Sequence, residues 1–190
     1  YIYIRQAPQY GNGVPVLSAA SLVDDEPFVF VWGDDLVKSD ISFTKQMIED
    51  YEKNENLMIG VQEVPEDQVD RYGIVKLKEG TMQMVDVVEK PAIGEAPSRF
   101  AQFGRMILNQ EIIDVLKRTP PGKGNEIWIT DAIQTYIKEG GKFFAKKVEN
   151  GEWLTTGDPL NYMKASLKYA VERDDIGEEI KEFFQKELLK

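Results

Sequence analysis

The stretch Phe28-Val29-Phe30-Val31-Trp32-Gly33-Asp34-Asp35 decides how this chain is read. Its continuous apolar run matches a strand buried on both faces, as in a sheet covered by helices on either side. The glycine and two carboxylates stand where that strand ends, and open α/β sheets bind ligands beyond the carboxyl ends of their strands. Gly33 lets the backbone turn there or lets a ligand come close. Adjacent carboxylates suit a hard divalent cation such as Mg2+, which prefers oxygen ligands and often bridges substrate phosphates. Taken alone, the tripeptide is better explained as a plain turn or helix cap.

Working outward, Leu57-Met58-Ile59-Gly60-Val61 reads as a second buried strand, and residues 74–77, 82–88, 103–108 and 143–148 as further ones. Between them run stripes with a 3.6-residue period: Phe43, Met47, Ile48 and Tyr51; Ile112, Ile113 and Leu116; Ile133, Tyr136 and Ile137. Leu160, Met163, Leu167, Ala170 and Val171 form a longer stripe, and Ile180, Phe183, Phe184 and Leu188 the last. Each is expected to face the core, although the last is also compatible with a subunit contact. Thr130-Asp131 suits the N-cap of the third helix, and Asp158-Pro159 an N-cap followed by proline at the first helical position. Strands alternating with helices predict an α/β fold whose central sheet, flanked by helices, is mixed but mostly parallel. The mixing is expected from a hairpin around Glu79-Gly80.

Composition narrows the chemistry. A chain of 190 residues fits one domain, and 42% apolar with 29% charged residues can build a core. With 23 basic against 33 acidic residues the formal net charge is −10, and no basic cluster offers a nucleic-acid surface. No cysteine and no histidine occur, which excludes disulfides, thiolate or imidazole metal sites and Ser-His-Asp catalysis. No apolar stretch is long enough to span a membrane, so an acidic cytoplasmic domain is expected.

Other short motifs could carry chemistry. In Val88-Glu89-Lys90-Pro91 a carboxylate able to accept from vicinal sugar hydroxyls and an ammonium able to neutralise a phosphate end a strand. Solvated charges at an exposed strand end are the plainer explanation. Gln6, followed by Gly11-Asn12-Gly13, offers an amide that matches a nucleobase edge, beside glycines that an unliganded turn would equally explain. Gly73, within Tyr72-Gly73-Ile74-Val75, opens a strand where a ligand can lie against the backbone. Thr155-Thr156-Gly157-Asp158-Pro159 opens a helix.

Taken in order and at these separations, the motifs resemble bacterial-type UTP–glucose-1-phosphate uridylyltransferases, within the sugar-phosphate nucleotidyltransferase group. The likeness runs from Ile4-Arg5-Gln6 through Phe103-Gly104-Arg105 and Glu126-Ile127-Trp128-Ile129-Thr130-Asp131-Ala132-Ile133 to Gly157-Asp158-Pro159-Leu160-Asn161-Tyr162. The resemblance implies a Rossmann-like nucleotide-diphospho-sugar transferase fold and Mg2+-dependent transfer of UMP from UTP to glucose 1-phosphate. It implies that Gln6 and the Gly11 backbone meet uracil, that Asp34 ligates Mg2+, that Gly73 and Glu89 hold the sugar and that Lys90 holds its phosphate. Asp34 and Lys90 would then be the catalytic pair. A homo-oligomer is a further implication.

The chain also departs from that pattern. Thr155 stands where the family commonly has an aspartate that ligates metal, so the ion would rest on Asp34 and substrate oxygens. Asn12, Val14 and Pro15 replace the usual residues of the base-binding turn. A transferase using dTTP or another hexose 1-phosphate, or a non-catalytic nucleotide-sugar-binding homologue, therefore stays open. Tyr1-Ile2-Tyr3-Ile4 reads as the middle of a half-buried strand, a place where domains seldom begin. Residues 1–190 are accordingly expected to be the carboxyl-terminal portion of a single nucleotidyltransferase domain, with its glycine-rich phosphate loop upstream. By themselves they are expected to bind UTP poorly and transfer nothing.

Overall fold

The computed structural model describes residues 1–6 and 9–189. Its helices are α1 (Val14–Val23), α2 (Phe43–Asn54), α3 (Gln110–Arg118), α4 (Ile129–Lys138), α5 (Pro159–Ala170) and α6 (Gly177–Phe183). The strands are β1 (Phe28–Val31), β2 (Asp35–Ser39), β3 (Leu57–Glu63), β4 (Gly73–Leu77), β5 (Met84–Glu89), β6 (Phe100–Leu108), β7 (Phe143–Lys147) and β8 (Gly151–Thr155). A six-stranded sheet runs β5-β4-β6-β3-β7, with β1 also paired to β6, while β2 and β8 form a separate two-stranded ribbon.

Every apolar run read as a strand between residues 28 and 148 is one. The sheet is mixed, yet its ladders are mostly antiparallel, which corrects the expectation of a mostly parallel sheet. β6 is antiparallel to β1, β3 and β4, and β5 to β4; among the described residues only β3 and β7 pair in parallel. Thus β1, β3, β4 and β7 point one way, and the long strand β6, lying between β3 and the β1/β4 edge, reverses the ladders. Apolar runs report burial and not direction, so the sequence carries no mark of this reversal.

Leu57 to Val61 of β3 are all buried, because both faces are covered. Leu57, Ile59 and Val61 pack with α1, α3 and α4 on one face. Met58 packs on the other with Phe43 and Met47 of α2, Phe103 of β6 and Trp153 of β8. α3 has the most one-sided apolar stripe: Ile112, Ile113, Val115 and Leu116 are all buried, and Asn109 caps it by accepting from the amides of Glu111 and Ile112.

Several expectations fail for identifiable reasons. Tyr1, Ile2, Tyr3 and Ile4 are exposed and form no strand, since nothing among the described residues pairs with them. α4 starts two to three residues earlier than expected, with Trp128 at its N-cap, so Thr130 and Asp131 lie in the first turn. α5 begins with Asp158 and Pro159 as expected. Ala165 is its buried contact, whereas Leu160 and Met163 of the stripe are exposed. Phe183 and Leu188 are exposed as well, so the last stripe does not seal the core. α1, β2 and β8 escaped the sequence reading: α1 is apolar on all sides and lacks a clear period, and the two strands alternate over too few residues. No helix among the described residues is long and apolar enough to cross a membrane.

Candidate active site

The register of β6 creates the site. Val31 of β1 lies opposite Arg105, and Ile74 of β4 opposite Ala101, both along the same edge of β6. The Trp32 amide still donates to the Gly104 carbonyl at 2.8 Å, so the end of β1 and the start of β4 meet that edge on either side of Phe103. Over this junction opens a cleft of about 470 Å³ lined by Asn12, Trp32, Asp34, Asp35, Arg71, Tyr72, Gly73, Glu89, Lys90, Gln102, Trp128, Thr130, Trp153 and Thr155. All three tryptophans of the chain stand in its wall.

The two carboxylates after β1 have separate duties. Asp35 is 5% exposed and accepts from the Gly104 amide at 2.7 Å and from Trp153 Nε1 at 2.6 Å. Burial pushes its carboxyl above the ordinary value, while those two donors act in the opposite direction. Arg105 Nη2 donates to the Asp35 carbonyl at 3.1 Å, which fixes the backbone here. Asp34, by contrast, is exposed. Its carbonyl accepts from both the amide and the hydroxyl of Thr156, at 2.8 and 2.9 Å. Across the ribbon Asp35 pairs with Thr155, so the segment after β8 is held against the segment after β1. A Cβ added to Gly157 would lie 3.4 Å from Asp34 Oδ2 and 3.5 Å from Thr155 Oγ1, which locates both oxygens around one spot.

This donor set bears on the Mg2+ that the resemblance implies. Among the described residues no group of three or more acidic side chains could cage an ion. One exposed carboxylate beside a hydroxyl suits Mg2+ that keeps waters and takes its remaining ligands from substrate phosphates. Asp158 adds nothing to this set, since it caps α5 by accepting from Asn161 N at 3.0 Å and Asn161 Nδ2 at 2.5 Å. Those bonds hold its carboxyl below the ordinary value.

The opposite wall is built by β4 and β5. Gly73 pairs with Glu89, and the Lys90 amide donates to the Tyr72 carbonyl at 3.0 Å. Lys90 holds φ at 48°, a left-handed conformation uncommon outside glycine and concentrated at functional sites. Glu89 and Lys90 are exposed, and neither side chain enters an ion pair among the described residues. Together with Arg71, Lys90 supplies positive charge to a wall that otherwise carries carboxylates.

Gln6 and Gly11 do not line the cleft. Gln6 is exposed and its amide donates to the Gln9 carbonyl at 3.1 Å. Gly11 has φ of 117°, and an added Cβ would lie 2.2 Å from the Ile127 carbonyl oxygen. Contact with Ile127 therefore accounts for this glycine. The turn is tied down by Gly13 N donating to Ile127 O and Ile129 N donating to Asn12 Oδ1, both at 2.9 Å. That docking brings Asn12 to the cleft beside Trp128 and Thr130. Arg71, Gln102, Trp128, Thr130 and Trp153 are wall residues that the sequence reading missed as site candidates. Gln102 alone left a local mark, as an amide inside the apolar strand of Phe100–Leu108.

A larger groove of about 540 Å³ lies elsewhere, among Asp40, Glu49, Asp50, Lys53, Lys146 and Glu149. Lys146 is already paired with Asp50 at 3.2 Å and Glu149 at 2.7 Å. Its acidic lining repels phosphates, so it is the poorer site for a nucleotide.

Residues 2–172 match the nucleotidyl transferase family, and the chain belongs to that family. More particularly, it is 38% identical over 192 residues to a UTP–glucose-1-phosphate uridylyltransferase of Streptococcus pyogenes, covering 97% of this chain and 62% of the relative. A UDP-glucose pyrophosphorylase from Acinetobacter baumannii superposes with a TM-score of 0.89 at 33% identity, over 100% of this chain and 66% of that one. A UDP-glucose pyrophosphorylase solved in complex with UDP-glucose gives 0.81 at 36% identity, over 90% and 66%. The chain thus spans just under two thirds of the length of these proteins.

Proposed function

We propose that the protein containing this chain transfers UMP from UTP to glucose 1-phosphate, releasing pyrophosphate. The observation that carries this reading is the convergence of Asp34, Gly73, Glu89 and Lys90 on one cleft, in a chain related to enzymes named for that reaction. An oxygen of the sugar phosphate attacks the α-phosphorus of UTP in line. The new P–O bond forms as the bond to the bridging α–β oxygen breaks, and pyrophosphate leaves with that electron pair. The protein need supply no nucleophile, only position and charge neutralisation, which suits a chain without His or Cys.

Glu89 accepts hydrogen bonds from vicinal sugar hydroxyls, and Gly73 lets the ring lie against the β4 backbone. Lys90 neutralises the sugar phosphate and holds it near the α-phosphorus. Asp34 and the Thr155 hydroxyl would hold Mg2+, which when bound offsets charge on the triphosphate. Asp35 keeps Asp34 in place through the Gly104 and Trp153 bonds. Uracil falls to the Asn12 side of the cleft, near the turn at Gly11, with Gln6 closing in from outside it. Contacts to the departing pyrophosphate are assigned to a segment beyond these residues, as their share of the relatives' length suggests. Exposed Leu160, Met163, Phe183 and Leu188 support a homo-oligomer.

Pyrophosphate release by the full-length protein, from UTP and glucose 1-phosphate with and without Mg2+, tests the reading. Metal-dependent release that needs both substrates is expected; no release would sink it. Thr155 favours a second reading, a nucleotide-sugar-binding protein without turnover, which calorimetric binding of UDP-glucose in the absence of any release would support. The altered turn at Asn12 favours comparing UTP with dTTP in competition, since equal rates would remove the uridylyl assignment.

A further inference from the structure

Gln102 is 8% exposed in the middle of β6, and its side chain forms part of the cleft wall. Its amide has no hydrogen-bond partner among the described residues: Oε1 is fully buried, and Nε2 is the atom turned toward the Gly73 backbone. Leaving a buried amide unpaired is costly, and native structures do so where a ligand or a functional role explains it.

The neighbours of this amide indicate what it serves. The β4–β6 register of Ile74 with Ala101 brings Gly73 opposite Gln102, and Gly73 pairs on its other side with Glu89. Glu89, Gly73 and Gln102 therefore form one row across three strands. A Cβ added to Gly73 would lie 2.5 Å from Gln102 Nε2 and 3.1 Å from Glu89 Oε2. The row is a notch whose floor is bare backbone and whose walls are a carboxylate and a carboxamide.

We propose that Gln102 is a specificity-determining residue for the sugar: its Nε2, the amide atom that faces the Gly73 notch, donates a hydrogen bond to a ring hydroxyl lying there, on the side away from Glu89. The inference rests on the uridylyl-transfer reading and adds to it a second wall of sugar recognition. With an acceptor on one side of Gly73 and a donor on the other, a sugar whose hydroxyl is missing or inverted at the Gln102 side leaves the amide without its partner. A site built to pair a substrate hydroxyl rejects an analogue lacking it far more strongly than an apolar pocket rejects a change of size.

The test uses the full-length protein and the variants Q102L and Q102M, which remove the amide at similar volume. Steady-state kinetics are measured with glucose 1-phosphate and its four monodeoxy analogues, and folding of each variant is checked by circular dichroism. In a folded variant kcat/KM for glucose 1-phosphate should fall about 10- to 100-fold, while the KM for UTP stays within about twofold. One monodeoxy analogue should already be that poor with the wild-type protein and lose nothing further in the variant. Unchanged kcat/KM for glucose 1-phosphate in either folded variant overturns the inference, as does a KM for UTP that rises with that of the sugar. A wild-type protein that makes no UDP-glucose overturns the underlying reading as well, a result distinct from both.

Discussion

The indole N–H of Trp153 donates to Asp35 Oδ1 at 2.6 Å, a diagonal bond across the ribbon in which Trp153 pairs with Val37 and Asp35 with Thr155. Trp153 also stacks on Phe103, with ring centroids 5.3 Å apart and an interplanar angle of 14°, and meets Tyr72 edge-on at 5.1 Å. One side chain thus ties the ribbon to the sheet and fixes the carboxylate next to the proposed metal ligand.

The variant W153F keeps a ring against Phe103 but leaves a buried carboxylate oxygen without its donor. It should lower the unfolding free energy by about 1–3 kcal/mol. Urea denaturation measures this, and an unchanged midpoint would show that the bond does not hold the ribbon.

Asp35 also sets a pH dependence. Burial, the largest cause, raises its folded pKa above 3.8. The folded state then binds this proton more tightly than the unfolded chain. The resulting stability is fully present below 3.8 and is lost as pH rises through the folded value. As pH rises from 3.8 through the folded value, the wild-type unfolding free energy should fall relative to that of D35N. Parallel curves for the two proteins would contradict the assignment.

Asp34 should behave in the opposite way to its neighbour. Because its side chain is exposed, D34A should melt within about 2 °C of the wild type. Turnover by the full-length protein should nevertheless fall by about 100-fold or more. A D34A protein that retains most of its activity would remove Asp34 from the chemistry.

Thr155 offers a gain of function. Its hydroxyl and the Asp34 carboxylate surround one spot, so T155D adds a charged oxygen ligand there. Divalent-ion affinity depends on ligand charge, and Mn2+ affinity without nucleotide should rise by about tenfold or more. Calorimetric titration checks this independently of activity, and an unaltered affinity would mean that the two side chains do not share an ion.

Much of this fold was legible because burial writes itself as apolar runs. The strands from Phe28 to Lys147 other than β2, and the helices at Phe43, Gln110 and Pro159, follow from apolar runs, period and capping alone. Ladder direction did not, since nothing in the composition of residues 100–108 says that the strand is inserted in reverse. Tyr1-Ile2-Tyr3-Ile4 misled for a related reason: alternation marks strand propensity, but a strand needs an edge to pair with. In the site, Asp34, Gly73, Glu89 and Lys90 were legible as punctuation at strand ends, where chain and ligand meet. Trp153 and Arg71 were not, because they reach the cleft through tertiary packing. The Gly11 turn is the instructive ambiguity. Its glycine is demanded by the Ile127 backbone, and the turn's side chain at the cleft is Asn12.

The most direct test is a crystal structure of the full-length protein with UDP-glucose and Mg2+. The sugar is expected over Gly73 with its hydroxyls on Glu89 and its phosphate at Lys90, and the metal is expected on Asp34. A nucleotide sugar bound away from those side chains, for instance in the groove between Asp40 and Lys146, would contradict the assignment.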